Sequence, residues 1–108
     1  MTVVTTHVLD TARGAPAPGI PVVLEAWESD GWRPLATAVT GDDGRAPDLG
    51  TAVVGAGVHR LVFATGDYLG TGAFYPEVSV VVDVTDEEHL HVPLLLAPYG
   101  YSTYRGSR

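Results

Sequence analysis

Four side chains in this sequence have the types and spacing that acid–base or anion-binding chemistry requires: His7, Arg45, His89 and His91. His7 lies in a β-branched run, where period-two alternation puts Thr5 on the same face. His89 and His91 are separated by one residue, so on a strand both imidazoles point to one face. Imidazole changes charge near neutral pH and is a common metal ligand, so these residues predict acid–base catalysis or a metal site.

The two interpretations of the histidines differ in whether they need a metal. His7, His89 and His91 together would form a three-histidine site with an open position, as catalytic zinc requires. In a metal-free site, His91 is the stronger candidate because it lies deeper in its strand than His89, which follows the acidic residues 86–88. The alternative for any single histidine is a structural, hydrogen-bonded residue, and His59 is assigned that role.

Arg45 and the C-terminal tail carry groups that bind oxygen-rich ligands. Arg45 follows the turn 41–44, where a fixed guanidinium could make two parallel hydrogen bonds to a planar ligand, or could pair with Asp42 or Asp43. Residues 104–107 (Tyr-Arg-Gly-Ser) add a phenol, a second guanidinium and a hydroxyl. The tail is rich in Tyr and Pro and almost without charge, so we expect it to be buried at a site or a subunit interface.

The scaffold that must position these groups is all-β. Short β-branched runs separated by Gly, Pro and Asp clusters predict an antiparallel sandwich or barrel of seven or eight strands. We expect residues 13–19 to form a loop, because proline does not fit a central strand, and residues 66–76 to hold a helical turn at most. The expected strands cover residues 3–9, 21–28, 32–40, 58–65, 77–85, 89–97 and 101–105, with an ambiguous edge strand within 48–56.

Composition narrows the classes of function. The 108 residues fit one domain, residues 1–108, and the absence of cysteine excludes disulfides, thiol chemistry and Cys-ligated zinc. A net charge of −7 argues against nucleic acid and anionic membranes as partners. Neither a membrane-spanning run nor a secretory signal pattern is present, so we expect a cytoplasmic protein. A nucleophile-elbow serine, a phosphate loop and a dinucleotide fingerprint are also absent.

Five segments, in order along the chain, resemble the 5-hydroxyisourate hydrolase family, whose members are also called transthyretin-related proteins. The segments are residues 6–14, 43–45, 74–78, 89–96 and 99–107. The resemblance therefore covers essentially the whole chain. The closing Tyr-Arg-Gly-Ser motif is its most specific part, because true transthyretins differ there and also lack the histidine that matches His7.

The resemblance implies a transthyretin-like antiparallel β-sandwich of two four-stranded sheets. It implies a homotetramer, a dimer of dimers, with active sites in the channel between the dimers and the tail buried by assembly. The implied reaction is the hydrolysis of 5-hydroxyisourate, a product of urate oxidation, to 2-oxo-4-hydroxy-4-carboxy-5-ureidoimidazoline. The family uses neither a metal ion nor a cofactor in this reaction.

Carried over by position, the family's catalytic residues fall on His7, Arg45 and His91. Its substrate-binding residues fall on His7, Arg45, Tyr104 and Ser107. Arg45 would bind and polarise the substrate, and His7 and His91 would position and deprotonate a water. Arg45 and Tyr104 would stabilise the negative charge on oxygen in the tetrahedral intermediate. Which histidine is the general base is left open by the sequence.

The chain departs from the family pattern in two places. Arg108 follows Ser107, where the family commonly ends, and segment 66–73 looks shorter than the family's helix-bearing connection. Three other interpretations also stay open. They are a transthyretin-like carrier of an aromatic ligand in the inter-dimer channel, a metal-dependent hydrolase that uses His7, His89 and His91, and an inert structural sandwich.

Overall fold

Two β-sheets face each other in the computed structural model, which describes residues 1–107. Arg108, the departure noted at the end of the chain, lies outside the described residues. No helix within residues 1–107 has the length and apolar character needed to cross a bilayer. The elements in chain order are β1 (Thr2–Asp10), β2 (Ala15–Pro16), β3 (Pro21–Glu28), β4 (Gly31–Val39), the 3-10 helix η1 (Pro47–Thr51), β5 (Val53–Val54), β6 (Gly57–Phe63), the helix α1 (Thr65–Leu69), β7 (Val78–Val84), β8 (His89–Ala97) and β9 (Gly100–Thr103).

The strand order confirms the expected two-sheet sandwich. The first sheet has the order β2-β1-β8-β9, and the short β5 pairs with the start of β1 as a fifth strand. The second sheet has four strands in the order β4-β3-β6-β7. One pairing differs from the antiparallel arrangement expected from the sequence, because β1 and β8 run parallel. These strands are far apart in the chain, so no hairpin fixes their relative direction.

Period-two alternation in β1 separates the core from the outer face of the first sheet. Val4 and Val8 are fully buried between the sheets, whereas Thr5 and His7 alternate with them and are only partly buried. Burying a large apolar side chain of this kind contributes about 1.5–3 kcal/mol. The largest fully buried side chains come from both sheets and the segments between them: Phe63, Ile20, Leu24, Leu49, Leu61, Leu94 and Leu96.

Three connecting segments can be compared with their expected structure. Residues 48–56, where an ambiguous edge strand was expected, contain most of η1 and the two-residue β5, which pairs with β1. Pro47 favours the start of η1 because the first helical position needs no N–H donor. The expected loop 13–19 contains β2, which pairs with the end of β1. Helix α1 is one turn long, as expected for this connection.

A buried carboxylate fixes the end of β1. Asp10 Oδ1 accepts hydrogen bonds from the backbone N–H groups of Ala12 and Arg13, each at 3.0 Å, and Oδ2 accepts one from the Tyr68 hydroxyl at 2.6 Å. Burial by itself would raise the pKa of Asp10. The hydrogen bonds from Tyr68 and the two backbone N–H groups outweigh it, and the pKa lies below its usual value. The carboxylate therefore ties α1 to the turn that follows β1.

Candidate active site

The parallel pairing of β1 with β8 brings three histidines to the outer face of the first sheet. In the register, Val3 lies opposite His89, Thr5 opposite His91 and His7 opposite Pro93. Neighbouring strands are about 4.8 Å apart, so side chains at these positions are within contact distance of one another. His89 and His91, which alternation predicted on one face of their strand, therefore lie on the same sheet face as Thr5 and His7.

The turn after β4 adds Arg45 to the same cluster. Arg45 forms an isolated antiparallel bridge with His7, and the N–H of Val8 donates to the carbonyl oxygen of Gly44 at 2.8 Å. Gly44 has φ +78°, and a Cβ there would lie 2.3 Å from the carbonyl oxygen of Val8. Only glycine allows both this φ angle and this close approach. The sequence Asp43-Gly44-Arg45 therefore places an arginine directly beside His7.

Asp43 interacts with the backbone of this turn. Its Oδ1 accepts a hydrogen bond from the backbone N–H of Arg45 at 2.9 Å. Within residues 1–107 the two ion pairs are Arg33–Glu28 and Arg60–Glu25. The alternative in which Arg45 is an ordinary turn residue paired with Asp42 or Asp43 therefore does not hold, and the side chain of Arg45 is exposed.

A backbone carbonyl sets the tautomer of His7. Its Nε2 lies 2.7 Å from the carbonyl oxygen of Asp43. A carbonyl oxygen only accepts, so Nε2 must carry the proton and donate it. In the neutral ring, the lone pair of His7 is then on Nδ1.

One hydroxyl contacts both histidines of β8. Thr5 Oγ1 lies 2.8 Å from His89 Nε2 and 2.8 Å from His91 Nδ1. Period-two alternation predicted Thr5 on the face of His7 but indicated no role for it. The period-two pattern could show which face Thr5 is on. Its contact with His89 and His91 could not be predicted without the register between β1 and β8.

The environment of His91 favours its neutral form. His91 is 8% exposed. Burial lowers its pKa below the usual value, and the positive charges of Arg45, His7 and His89 lower it further. A neutral imidazole at neutral pH is suited to accept a proton from water.

The C-terminal tail returns to the edge of the site through Gly106. Its N–H donates to the carbonyl oxygen of His91 at 2.9 Å. A Cβ on Gly106 would lie 2.9 Å from His91 Cδ2 and 3.0 Å from Pro93 Cγ, so the tail backbone lies directly against the ring. Ser107 follows Gly106 and is exposed.

Tyr104 lines a different cavity from the one beside His7, His91 and Arg45. It lines an open cleft of about 310 Å³ between β7 of the second sheet and β8 of the first, together with Thr103, Arg105 and β7 residues such as Val81. Tyr104 is 56% exposed. The tail is thus not buried by its own chain. Its expected burial at a site or a subunit interface stays a prediction, as does a role for Tyr104 and Ser107 in substrate binding.

The three-histidine metal site does not form. Among the described residues, no group of three His, Cys, Asp or Glu side chains is arranged to hold a metal ion. His59, assigned a structural role, is buried, and its Nδ1 lies 2.9 Å from the carbonyl oxygen of Gly57. The site is thus a cluster of His7, His91 and Arg45 next to a small cavity of about 110 Å³ that is lined in part by Thr5 and Arg45.

Known proteins share this sequence and fold over nearly the whole chain. A 5-hydroxyisourate hydrolase of Mesorhizobium japonicum is 47% identical over 112 residues, which cover 95% of this chain and 90% of that protein. The solved Klebsiella pneumoniae 5-hydroxyisourate hydrolase has a TM-score of 0.87 and 35% identity, covering 99% of this chain and 100% of that one. The uric acid degradation bifunctional protein TTL of Arabidopsis thaliana is 44% identical over 96% of this chain, which spans 37% of the length of that protein. The family model described as HIUase/Transthyretin matches residues 4–106, and the chain belongs to the HIUase/transthyretin family.

Proposed function

We propose that this chain hydrolyses 5-hydroxyisourate in urate degradation, opening its ring to give 2-oxo-4-hydroxy-4-carboxy-5-ureidoimidazoline. The observation that carries the proposal is the β1–β8 register together with the His7–Arg45 bridge, because the two place a neutral imidazole, a second imidazole and a guanidinium in one cluster. The relatives that are 44% to 47% identical and bear the name of this hydrolase support the substrate.

Arg45 binds the substrate in this proposal. 5-Hydroxyisourate carries several carbonyl oxygens on its rings, and a guanidinium presents a planar fork of N–H donors that matches such an oxygen-rich edge. When water adds to the ring carbonyl, negative charge develops on its oxygen. The exposed guanidinium of Arg45 is free of ion pairs within residues 1–107, so it is available to stabilise that charge.

The two imidazoles hold and deprotonate the water. His91 is the general base, because its lowered pKa keeps it neutral at neutral pH and its Nδ1 contact with Thr5 leaves Nε2 for the water. His7 orients the water through Nδ1, since its Nε2–H is held by the carbonyl of Asp43. The proton accepted by His91 is later returned to the departing ring nitrogen. The mechanism uses neither a metal ion nor a cofactor.

We further propose that the working form is a cytoplasmic homotetramer, a dimer of dimers that encloses the sites in a channel. Two features support assembly. The cluster lies on an open sheet face, and aromatic side chains near the edge of the first sheet are exposed in the single chain. Tyr101 is 42% exposed, Tyr104 56% and Tyr99 83%. Light scattering after size exclusion tests this, and a monomeric protein at working concentration would contradict it.

The decisive experiment generates 5-hydroxyisourate in situ with urate oxidase and follows its ultraviolet absorbance. We expect the wild-type protein to accelerate the decay, and His7→Ala and Arg45→Ala each to lose roughly 100-fold or more in rate. Thr37→Val, on the exposed face of the other sheet, is the control and should match wild type. Decay at the spontaneous rate with folded wild-type protein would refute the hydrolase function and favour a carrier of aromatic ligands.

A further inference from the structure

The Thr5 hydroxyl lies between two imidazoles but has only one proton. It is 2.8 Å from a ring nitrogen of His89 and 2.8 Å from a ring nitrogen of His91. A hydroxyl donates one hydrogen bond and can accept others. When one of the two ring nitrogens carries no proton, Thr5 donates to that histidine and accepts from the other.

We propose that Thr5 is a positioning residue that relays a proton between His91 and His89, so that only one of the two imidazoles is charged at a time. The inference rests on the proposed function, in which His91 accepts a proton from water. Neither Thr5 nor His89 needs to touch the substrate for this role.

The direction of the hydrogen bonds disfavours a charge on both rings at once. A protonated His91 has a proton on Nδ1 and must donate it to Thr5, which then donates to Nε2 of a neutral His89. A protonated His89 must donate from Nε2, so Thr5 donates to Nδ1 of a neutral His91. With both rings protonated, both donate to the same oxygen, the hydroxyl proton has no acceptor between them, and two positive charges lie on either side of one atom, so this state is disfavoured.

The relay consists of three proton movements, and in each one an N–H or O–H bond breaks as another forms. His91 begins with a proton on Nδ1 and a lone pair on Nε2. As the water attacks, its proton bonds to His91 Nε2, the Nδ1 proton moves to Thr5 Oγ1, and the hydroxyl proton moves to His89 Nε2. The positive charge then lies on His89, and His91 is neutral with a proton on Nε2. That proton is the one available to the departing ring nitrogen.

The surroundings disfavour a positive charge on His91. His91 is buried, whereas His89 is at the start of β8 and only partly buried. His91 faces His7 from β1 and Arg45 from the turn after β4, and both disfavour a further positive charge. Gly106 of the tail, which is uncharged, lies against the ring edge of His91. The acidic residues 86–88 immediately precede His89.

The experiment compares Thr5→Val, which removes the hydroxyl and keeps a β-branched shape, with Thr5→Ser, which keeps the hydroxyl. We expect Thr5→Val to lower kcat roughly 10-fold with little change in KM, since part of the acid–base contribution is lost. Thr5→Ser should stay within about 3-fold of wild type, because its hydroxyl has the same donor and acceptor groups. Thr37→Val serves as the matched Thr-to-Val control on a strand of the other sheet.

A double-mutant cycle with His89→Gln tests the relay itself. Thr5 and His89 act in one chain of transfers, so we expect the double variant to be no slower than Thr5→Val alone. Titration of ¹⁵N-labelled histidines by NMR, in the free protein, gives a readout that does not depend on activity. In wild type, protonation of one ring should oppose protonation of the other, and in Thr5→Val this opposition should weaken.

Three results would overturn the inference. They are an unchanged kcat and pH profile in Thr5→Val, an equal loss in Thr5→Ser, and additive losses in the cycle. A wild-type protein without hydrolase activity would instead refute the proposed function, and the NMR titration would still decide whether Thr5 couples the two imidazoles.

Discussion

The variant Gly44→Ala tests how the turn after β4 positions Arg45 beside His7. Gly44 has φ +78° and Gly19 has φ +77°, so a residue with a Cβ is strained equally at both positions, by about 1–2 kcal/mol. The surroundings differ. A Cβ on Gly19 meets nothing within 4 Å, whereas a Cβ on Gly44 lies 2.3 Å from the carbonyl oxygen of Val8. Gly19→Ala is therefore a control for the backbone strain alone.

The geometry gives the size of the extra cost. An ordinary contact begins at 3.4 Å, so the turn must move by 3.4 − 2.3 = 1.1 Å to accept the methyl group. That movement breaks the 2.8 Å hydrogen bond from the N–H of Val8, a fully buried residue, to Gly44. An unsatisfied buried N–H costs about 1–3 kcal/mol. We therefore expect the free energy of unfolding to fall by about 2–5 kcal/mol in Gly44→Ala and by about 1–2 kcal/mol in Gly19→Ala.

The two variants should differ in hydrolase activity as well as in stability. Because Arg45 follows Gly44 directly, a shift of about 1 Å displaces the guanidinium and should lower the rate by roughly 100-fold. Gly19→Ala should keep its rate per folded molecule. Urea unfolding at matched protein concentration and the 5-hydroxyisourate decay assay measure the two effects. Equal unfolding midpoints and equal rates in the two variants would show that the contact with Val8 neither stabilises the turn nor positions Arg45.

Two further predictions concern pH. The pKa of Asp10 is lowered in the folded protein, so its contribution to stability is present above about pH 4 and is lost as the pH falls. Asp10→Asn should lower the free energy of unfolding by about 1–3 kcal/mol at pH 7 and flatten its fall between pH 5 and 3, as measured by urea unfolding; an unchanged slope would contradict this. The pKa of His91 is lowered first by burial and then by Arg45, so stability should decline as the pH falls below about 6.5, and the rate should decline at lower pH, where the folded imidazole takes up a proton. Arg45→Gln should raise that pKa but leave it below the usual value, because burial persists; NMR titration measures the shift, and a fall would refute the assigned cause.

Alternation in the sequence was enough to predict the faces of the long strands. Strands β3 and β8 begin and end at the predicted residues, and His89 and His91 share the predicted face. The two-residue strand β2 was not predicted, and β5 was placed only within residues 48–56, because two residues carry no period. Both β2 and β5 form by pairing with backbone groups at the edge of β1.

The grouping of the site residues depended on information that no local pattern contains. His7 and His91 were each identifiable as candidates, but their proximity requires the parallel pairing of β1 with β8. For the same reason Thr5 had no visible role until His91 was placed opposite it. The assignment of His7, Arg45 and His91 to catalysis came from the family resemblance and stays a prediction for the assays above.

The parallel pairing of the first and eighth strands also determines when the site can exist during folding. Thr5 and His91 are 86 residues apart in the chain, so their contact closes almost the whole polypeptide into one loop. Non-local pairings of this kind form slowly, because the entropy of loop closure is lost before the contacts repay it. A chain still emerging from the ribosome has β1 but not β8, and it therefore has no candidate site. If the proposed function holds, the recovery of hydrolase activity during refolding would report the pairing of β1 with β8. We expect this recovery to come later than any signal from the β3–β4 hairpin.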